Sequence, residues 1–364
     1  MKESLIVVGT GAYTAVGSSA AQTCAAIRAG ISGFARWDLS HLDDQAEAIV
    51  AAPIPMLPTP RDNRLFDRLV MMAVPAIEDC LAASGIEAGR LLLLLGIRDG
   101  FRGHPQLDGR EAELIRAIED ALGLRFHRGS AVVPEGRPAA LLSLANLHAL
   151  LDRSQAQGAV VGGVDSLINW YDFQRFDATC RIKREGVEGG FTPGEGAAFV
   201  VVERRPAERL PMVPHFEILG VGVGQESAET TMLSEGHPTG RGLHQALVAS
   251  LHESRLEEAQ IDFRVSDISG EHYRGVEALL GVNRFYQTRR EHLHGWFPAA
   301  CVGDIGAGFG ALLIIVAMAG IGRGYAHGPV AMCESGSDTG LNAACLLAMQ
   351  CAPGGVAQSL GHRE

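Results

Sequence analysis

Long apolar runs, paired cysteines and a basic surface are what this 364-residue chain lacks. No stretch reaches the roughly eighteen consecutive apolar residues of a membrane-spanning helix; the longest candidates, Leu91 to Leu95 and Ala311 to Ala319, suit a strand and a core helix. Met1-Lys2-Glu3-Ser4 leads straight into a strand pattern, without the basic-then-apolar layout of a signal peptide, so a cytoplasmic location with no membrane span is expected. The seven cysteines (Cys24, Cys80, Cys180, Cys301, Cys333, Cys345, Cys351) are scattered and contain no CxxC pair. That spacing argues against a disulfide framework and a zinc site, and most of them read as small buried hydrophobes. A formal net charge of −11 argues against a general nucleic-acid binder, which needs a basic surface to neutralise phosphates.

What is present is apolar content and glycine. With 47% hydrophobic residues the chain buries a large core, as one big domain or two fused ones. Two similar openings recur. Leu5 to Val8 reads as a strand, followed by a glycine turn Gly9 to Gly17 and a helix from about Ser19 to Ala29; Phe216 to Leu219 is followed by Gly220-Val221-Gly222-Val223-Gly224 and a helix from Arg241 to Ser254. Ala159 to Val161 and Ala197 to Val202 read as strands buried on both faces. Gly303 to Gly310 reads as a turn, followed by a helix to about Ile321 and a last strand near Ala343 to Met349. Such alternation predicts mostly parallel sheet with helices on its faces. The seam is expected in the polar, proline-bearing Arg204 to Pro211, dividing the chain into halves at 1–205 and 210–352, with 353–364 an unpatterned tail. Gly9-Thr10-Gly11 lacks the third glycine and the acidic residue of a dinucleotide fingerprint, so no cofactor is expected.

Three blocks carry a family resemblance. Val7 to Gly17 with Ala29-Gly30-Ile31-Ser32-Gly33, Ala159-Val160-Val161-Gly162-Gly163-Val164-Asp165-Ser166, and Phe191-Thr192-Pro193-Gly194-Glu195-Gly196 resemble the framework of the β-ketoacyl synthases. The resemblance covers most of the chain and is weak between residues 40 and 130. It implies a thiolase-like fold: two pseudo-symmetric βαβ halves in a five-layered αβαβα arrangement, usually dimeric.

The catalytic positions of that family hold other residues here. Its chemistry needs a cysteine at the amino end of a buried helix and two histidines that favour thiolate and stabilise the oxyanion. Matching Pro138, Ala139, Ser143, Leu144 and His148 to the family pattern puts Ala140 in the cysteine's place, and a methyl group cannot carry an acyl chain. Ser269 or Gly270 stands nearest the first histidine, Asp304 replaces the second in the pair Gly303-Asp304, and Ala299 replaces the lysine five residues earlier. An ionised aspartate cannot donate to a thioester oxyanion. Ser335 to Ala344 sits where the family carries its gating loop, without the gating phenylalanine, and Glu195 matches a glutamate kept for structure.

Other groups remain as alternative chemistry. Ser143, His272 and Cys301 are candidate nucleophiles or acid-base groups for acyl transfer through a rearranged site. Glu271, His272, Asp304 and Asn342 are expected to line a polar pocket. His292 and His294 alternate, which puts both on one strand face, but without a further ligand at metal spacing no metal site is expected. The helix Ala139 to Leu151 follows the extended Ser130 to Pro134, whose β-branched Val132 and Val133 read as an edge for two-fold pairing. The chain therefore reads as a catalytically inactive ketosynthase-like platform, adaptor or chaperone. Its expected partners are itself or a related thiolase-fold subunit, a secreted effector of the type VI kind, or an acyl carrier protein.

Overall fold

Uninterrupted apolar runs become strands that are covered on both faces. In the computed structural model, which describes residues 3–38, 48–58, 64–99, 104–206, 213–234, 236–350 and the backbone of 351–352 and 355–356, the elements fall into two series. The first comprises β1 (Glu3–Thr14), α1 (Ala20–Arg28), β2 (Ala35–Trp37), β3 (Ile49–Ala51), α2 (Leu65–Ser84), β4 (Leu91–Gly96), α3 (Glu111–Leu122), β5 (Ala131–Val133), α4 (Ala139–Ala145), α5 (Leu147–Ser154), β6 (Gly158–Ser166), α6 (Trp170–Ala178) and β7 (Glu195–Pro206). The second comprises β8 (His215–Gln225), α7 (Arg241–Ser254), β9 (Phe263–Ser266), α8 (His272–Phe285), β10 (His294–Trp296), α9 (Ala299–Val302), α10 (Phe309–Gly322), β11 (Val330–Gly336), β12 (Leu341–Ala352) and the two-residue β13 (Gly355–Val356). The seam expected around Arg204 to Pro211 falls largely on residues 207–212, outside the described residues, as does most of the 353–364 tail.

The strand order repeats about one junction. From the outer edge inward the first series runs β5-β4-β6-β7-β1, and the second runs β10-β9-β11-β12-β8, so each places its strands in the same sequence. In each, only the strand before the junction strand, β7 or β12, is antiparallel to the rest. β1 and β8 meet antiparallel over Leu5↔Ile218 to Val7↔Phe216. A separate β2–β3 hairpin lies outside this ladder.

Packing builds five layers. Helices α2 and α3 cover the outer face of the first set of strands, and α7 and α8 cover that of the second. Between the two sets lie α4 and α10, whose Ala140, Leu141, Leu144, Phe309 and Leu313 share one core with strands of both. Helix α10 is apolar all round, as a helix with no solvent face must be.

The glycines after Val8 and Leu219 were expected to turn the chain; they stay in extended strands. Their reason is close approach: a Cβ on Gly11 would lie 2.0 Å from the Ala76 carbonyl of α2, and one on Gly222 would lie 2.0 Å from the Ala246 carbonyl of α7. The expected continuous helix Ala139 to Leu151 is instead broken at Asn146, whose side-chain amide donates to the Leu142 carbonyl. β5 pairs with β4 on one side only and ends its sheet among the described residues. No helix of the described residues is long and apolar enough to cross a membrane.

Candidate functional site: a cleft closed by buried ion pairs

Helix α4 begins at Ala139, directly after Gly136-Arg137-Pro138. Gly136 supplies a positive φ of 65°, and the proline supplies a preset φ at the helix start. Ala140 is fully buried on the first turn, against the small surface of Gly310 on α10: a Cβ at 310 would come 2.9 Å from the Ala140 Cβ. The methyl group thus faces a packed helix.

The side chain that enters the cleft is Arg137. It is buried, and its guanidinium donates to Asp304 Oδ2 at 2.5 Å, to Asp338 Oδ1 at 2.7 Å and to the Gly336 carbonyl at 3.1 Å, with Asp267 3.8 Å away. Asp304, 0% exposed, also accepts from Ser269 Oγ at 3.2 Å and from the Gly306 N–H at 3.0 Å. Its backbone is clamped by Thr192 and Gly194 just before β7. The second oxygen of Asp338 takes a 2.7 Å bond from Arg181, which pairs also with Glu271. Asp267 accepts from Arg274 at 3.2 Å, from Ser335 Oγ at 2.8 Å and from the Gly336 N–H at 3.0 Å. Arg274 pairs in turn with Glu277, to which Asn342 donates at 2.9 Å. Three guanidiniums are therefore threaded among five buried carboxylates (Asp267, Glu271, Glu277, Asp304, Asp338).

Burial and the neighbouring guanidiniums set the proton affinities of these acids. Burial alone would raise the Asp338 carboxyl, but Arg137 and Arg181 outweigh it and hold it far below the usual carboxylate range. Burial lifts Glu271 and Glu277 above that range, and the guanidiniums of Arg181 and Arg274 only partly offset it. A second buried centre adjoins the first: Arg98 donates to Asp165 at 2.9 Å and pairs with Asp172, which is held on its other side by Asn169 at 2.6 Å. The space left between the two centres is a cavity of about 40 Å³, room for about three waters. Charged side chains line most of this space.

The candidate residues divide accordingly. Asp304 and Glu271 belong to one ion-pair network, with Ser269 attached to it through Asp304 and Asn342 through Glu277. His272 does not join them; it is exposed at the start of α8, with its N–H on the Gly189 carbonyl. Ala299 is buried in α9 and brings no charge. Ser143 Oγ donates to the Ala139 carbonyl of its own helix at 2.8 Å. Cys301 lines a different cavity, and burial pushes its thiol up. Glu195 ties loops together by accepting from Ile54 N–H, Arg68 and Ser166. His292 lies just before β10, with its ring 6.0 Å from that of His294, which itself stacks on His327. Among the described residues no group of three or more His, Cys, Asp or Glu is placed to hold a metal.

Sequence reasoning passed over Arg137, Arg181, Arg274 and Asp338. A signal existed: Arg137 interrupts an apolar stretch immediately before a helix that is buried throughout its first turn, and a cation there demands acids across the cleft.

No family model and no curated protein matches the sequence. Solved structures do match the fold. The ishigamide ketosynthase/chain length factor superposes with a TM-score of 0.77 at 17% identity, covering 96% of this chain and 99% of that one. A ketosynthase in complex with its chain length factor from Xenorhabdus doucetiae gives 0.71 at 15%, covering 96% and 98%. A β-ketoacyl synthase from Burkholderia phymatum gives 0.74 at 17%, covering 96% and 100%. The architecture is the thiolase-like fold of the β-ketoacyl synthases.

Proposed function

We propose that the chain is a catalytically silent, ketosynthase-like subunit that acts by binding another protein. The observation that carries this reading is Arg137: its pairing with Asp304 and Asp338 leaves about 40 Å³ of cleft, and Ala140, buried against Gly310, does not line that space. A thioester has no nucleophile to meet there and no space to occupy. Ser143 spends its proton on its own helix, and Cys301 faces away from the ion-pair network, so the alternative of a rearranged acyltransferase gains no support from either.

The partner is a related thiolase-fold subunit. Two of the similar structures are ketosynthases together with chain length factors, and β5 ends its sheet among the described residues with Val132 and Val133 half-buried along it. An open edge of this kind supports isologous pairing, with a second copy or with a relative. Adaptor or chaperone service to a secreted effector of the type VI kind uses the same platform with a different client.

Two measurements test the reading together. Malonyl-loaded acyl carrier protein mixed with the chain should release no carbon dioxide and yield no condensation product. Light scattering at micromolar concentration should give a dimer mass, or a heterodimer once a ketosynthase-like subunit is co-expressed. Turnover, or a strictly monomeric mass under both conditions, would remove the proposal.

A further inference from the structure

On the far side of α9 from the ion-pair network is a second cavity, of about 560 Å³. It is walled by three aromatic rings, Trp296, Phe297 and Tyr325, with Ile27 of α1 and Val316 of α10 as apolar contacts and Cys301 as a small wall residue. It is more than ten times the size of the cleft space. Both its volume and its mostly apolar lining fall within the range of small-molecule sites.

Arg28 is its charged side chain. Arg28, exposed on the last turn of α1, holds its guanidinium 4.3 Å from the centre of the Tyr325 ring, and His327 contributes a second nitrogen-bearing side chain. Among the described residues no aspartate or glutamate lines the cavity. The Trp296 and Tyr325 rings stand 5.8 Å apart with an interplanar angle of 27°, forming one slanted aromatic wall beneath that cation. Trp296 is itself fixed: Phe263 packs on it at 4.5 Å, and Gly320 of α10 leaves it space, since a Cβ there would meet the indole at 2.4 Å. A rigid aromatic wall with a guanidinium at its edge is complementary to a flat apolar body that ends in an anion.

We propose that this cavity binds a compact aromatic carboxylate, its ring system against Trp296 and Tyr325 and its carboxylate on Arg28. The site is independent of the silent cleft and of the platform reading. It gives the chain a small-molecule input at the place where α1 of the first series meets α9 and α10 of the second.

The test uses 2-naphthoate and its uncharged methyl ester in calorimetric titrations of the full chain, with tryptophan fluorescence followed in parallel. Naphthoate should bind saturably at one site and quench Trp296, and the ester should bind about tenfold more weakly. Arg28→Gln, an exposed change that leaves the fold alone, should bring acid and ester to the same affinity. Ala300→Phe, at an exposed α9 position lining the cavity, should put a ring into it and weaken both. Absence of saturable binding at millimolar naphthoate, equal affinity for acid and ester in the wild type, or undiminished binding to Ala300→Phe would each overturn the assignment. Unchanged circular dichroism and melting temperature of both variants keep those outcomes interpretable.

Discussion

Replacing Arg137 with alanine removes the cation around which the cleft is closed. Two carboxylates lose a direct bond, Asp304 at 2.5 Å and Asp338 at 2.7 Å, and both stay out of water. Breaking a buried pair from one side costs about 3–5 kcal/mol, because the surviving charge is left uncompensated. Here the partners keep some support: Asp338 retains Arg181, and Asp304 retains Ser269 Oγ and the Gly306 N–H. The loss belongs at the lower end, about 3 kcal/mol. Arg137→Lys keeps the charge but cannot reach both acids through a planar fork, so it should recover only part of the loss. The double variant Arg137→Ala with Asp304→Asn should be less destabilised than the two single changes added together, since the second removes the charge that the first orphans. Guanidinium-induced unfolding of the wild type and the four variants measures all of this. An Arg137→Ala midpoint equal to wild type, or strict additivity in the double variant, would refute the network as the structural substitute for a catalytic cleft.

Other consequences follow from the same geometry. Asp338 has a folded proton affinity held below its unfolded one, so it contributes stability that is complete above about pH 4 and is lost as pH falls towards its depressed value. Asp338→Asn should therefore flatten the acid limb of a stability-against-pH curve. Glu277 works in the opposite sense: its folded affinity is raised, so its contribution is largest at low pH and declines as pH rises above about 4.3, and Glu277→Gln should remove that decline. Ser143→Ala deletes only a bond within α4 and should change stability by about 1 kcal/mol or less. Val132→Lys, on the edge strand β5 and partly packed against the core under α2 and α3, should shift light-scattering mass from dimer to monomer while circular dichroism keeps the folded spectrum, at a modest cost in melting temperature.

Much of the fold was legible because it is written in short-range patterns. Leu91 to Leu95 and the 159–161 run lie in strands as read, α7 spans Arg241–Ser254, and Ala140 sits buried at the start of its helix. The glycines misled locally, since a glycine that lets α2 lie on β1 looks in sequence like one that turns the chain. β2 and β3, three residues each and half-exposed, carry too little periodicity to be seen. The site was half legible. The readings of Ala140, Ala299 and Asp304 rest on the family resemblance, whereas the ion-pair network could not be read: Arg137, Arg181 and Asp338 are brought together from positions 44 to 201 residues apart. Only the assembled fold brings these charges into one network.

The central claim is that no acyl group can be lodged on this chain. Intact-mass spectrometry after incubation with acyl-CoA and with acyl-loaded carrier protein tests it directly, on the wild type and on Ala140→Cys. Both should keep their unmodified mass, because the restored thiol would still face the packed surface of Gly310 without an imidazole to activate it. A stoichiometric acyl adduct on the wild type, mapped to Ser143 or Cys301, would contradict it.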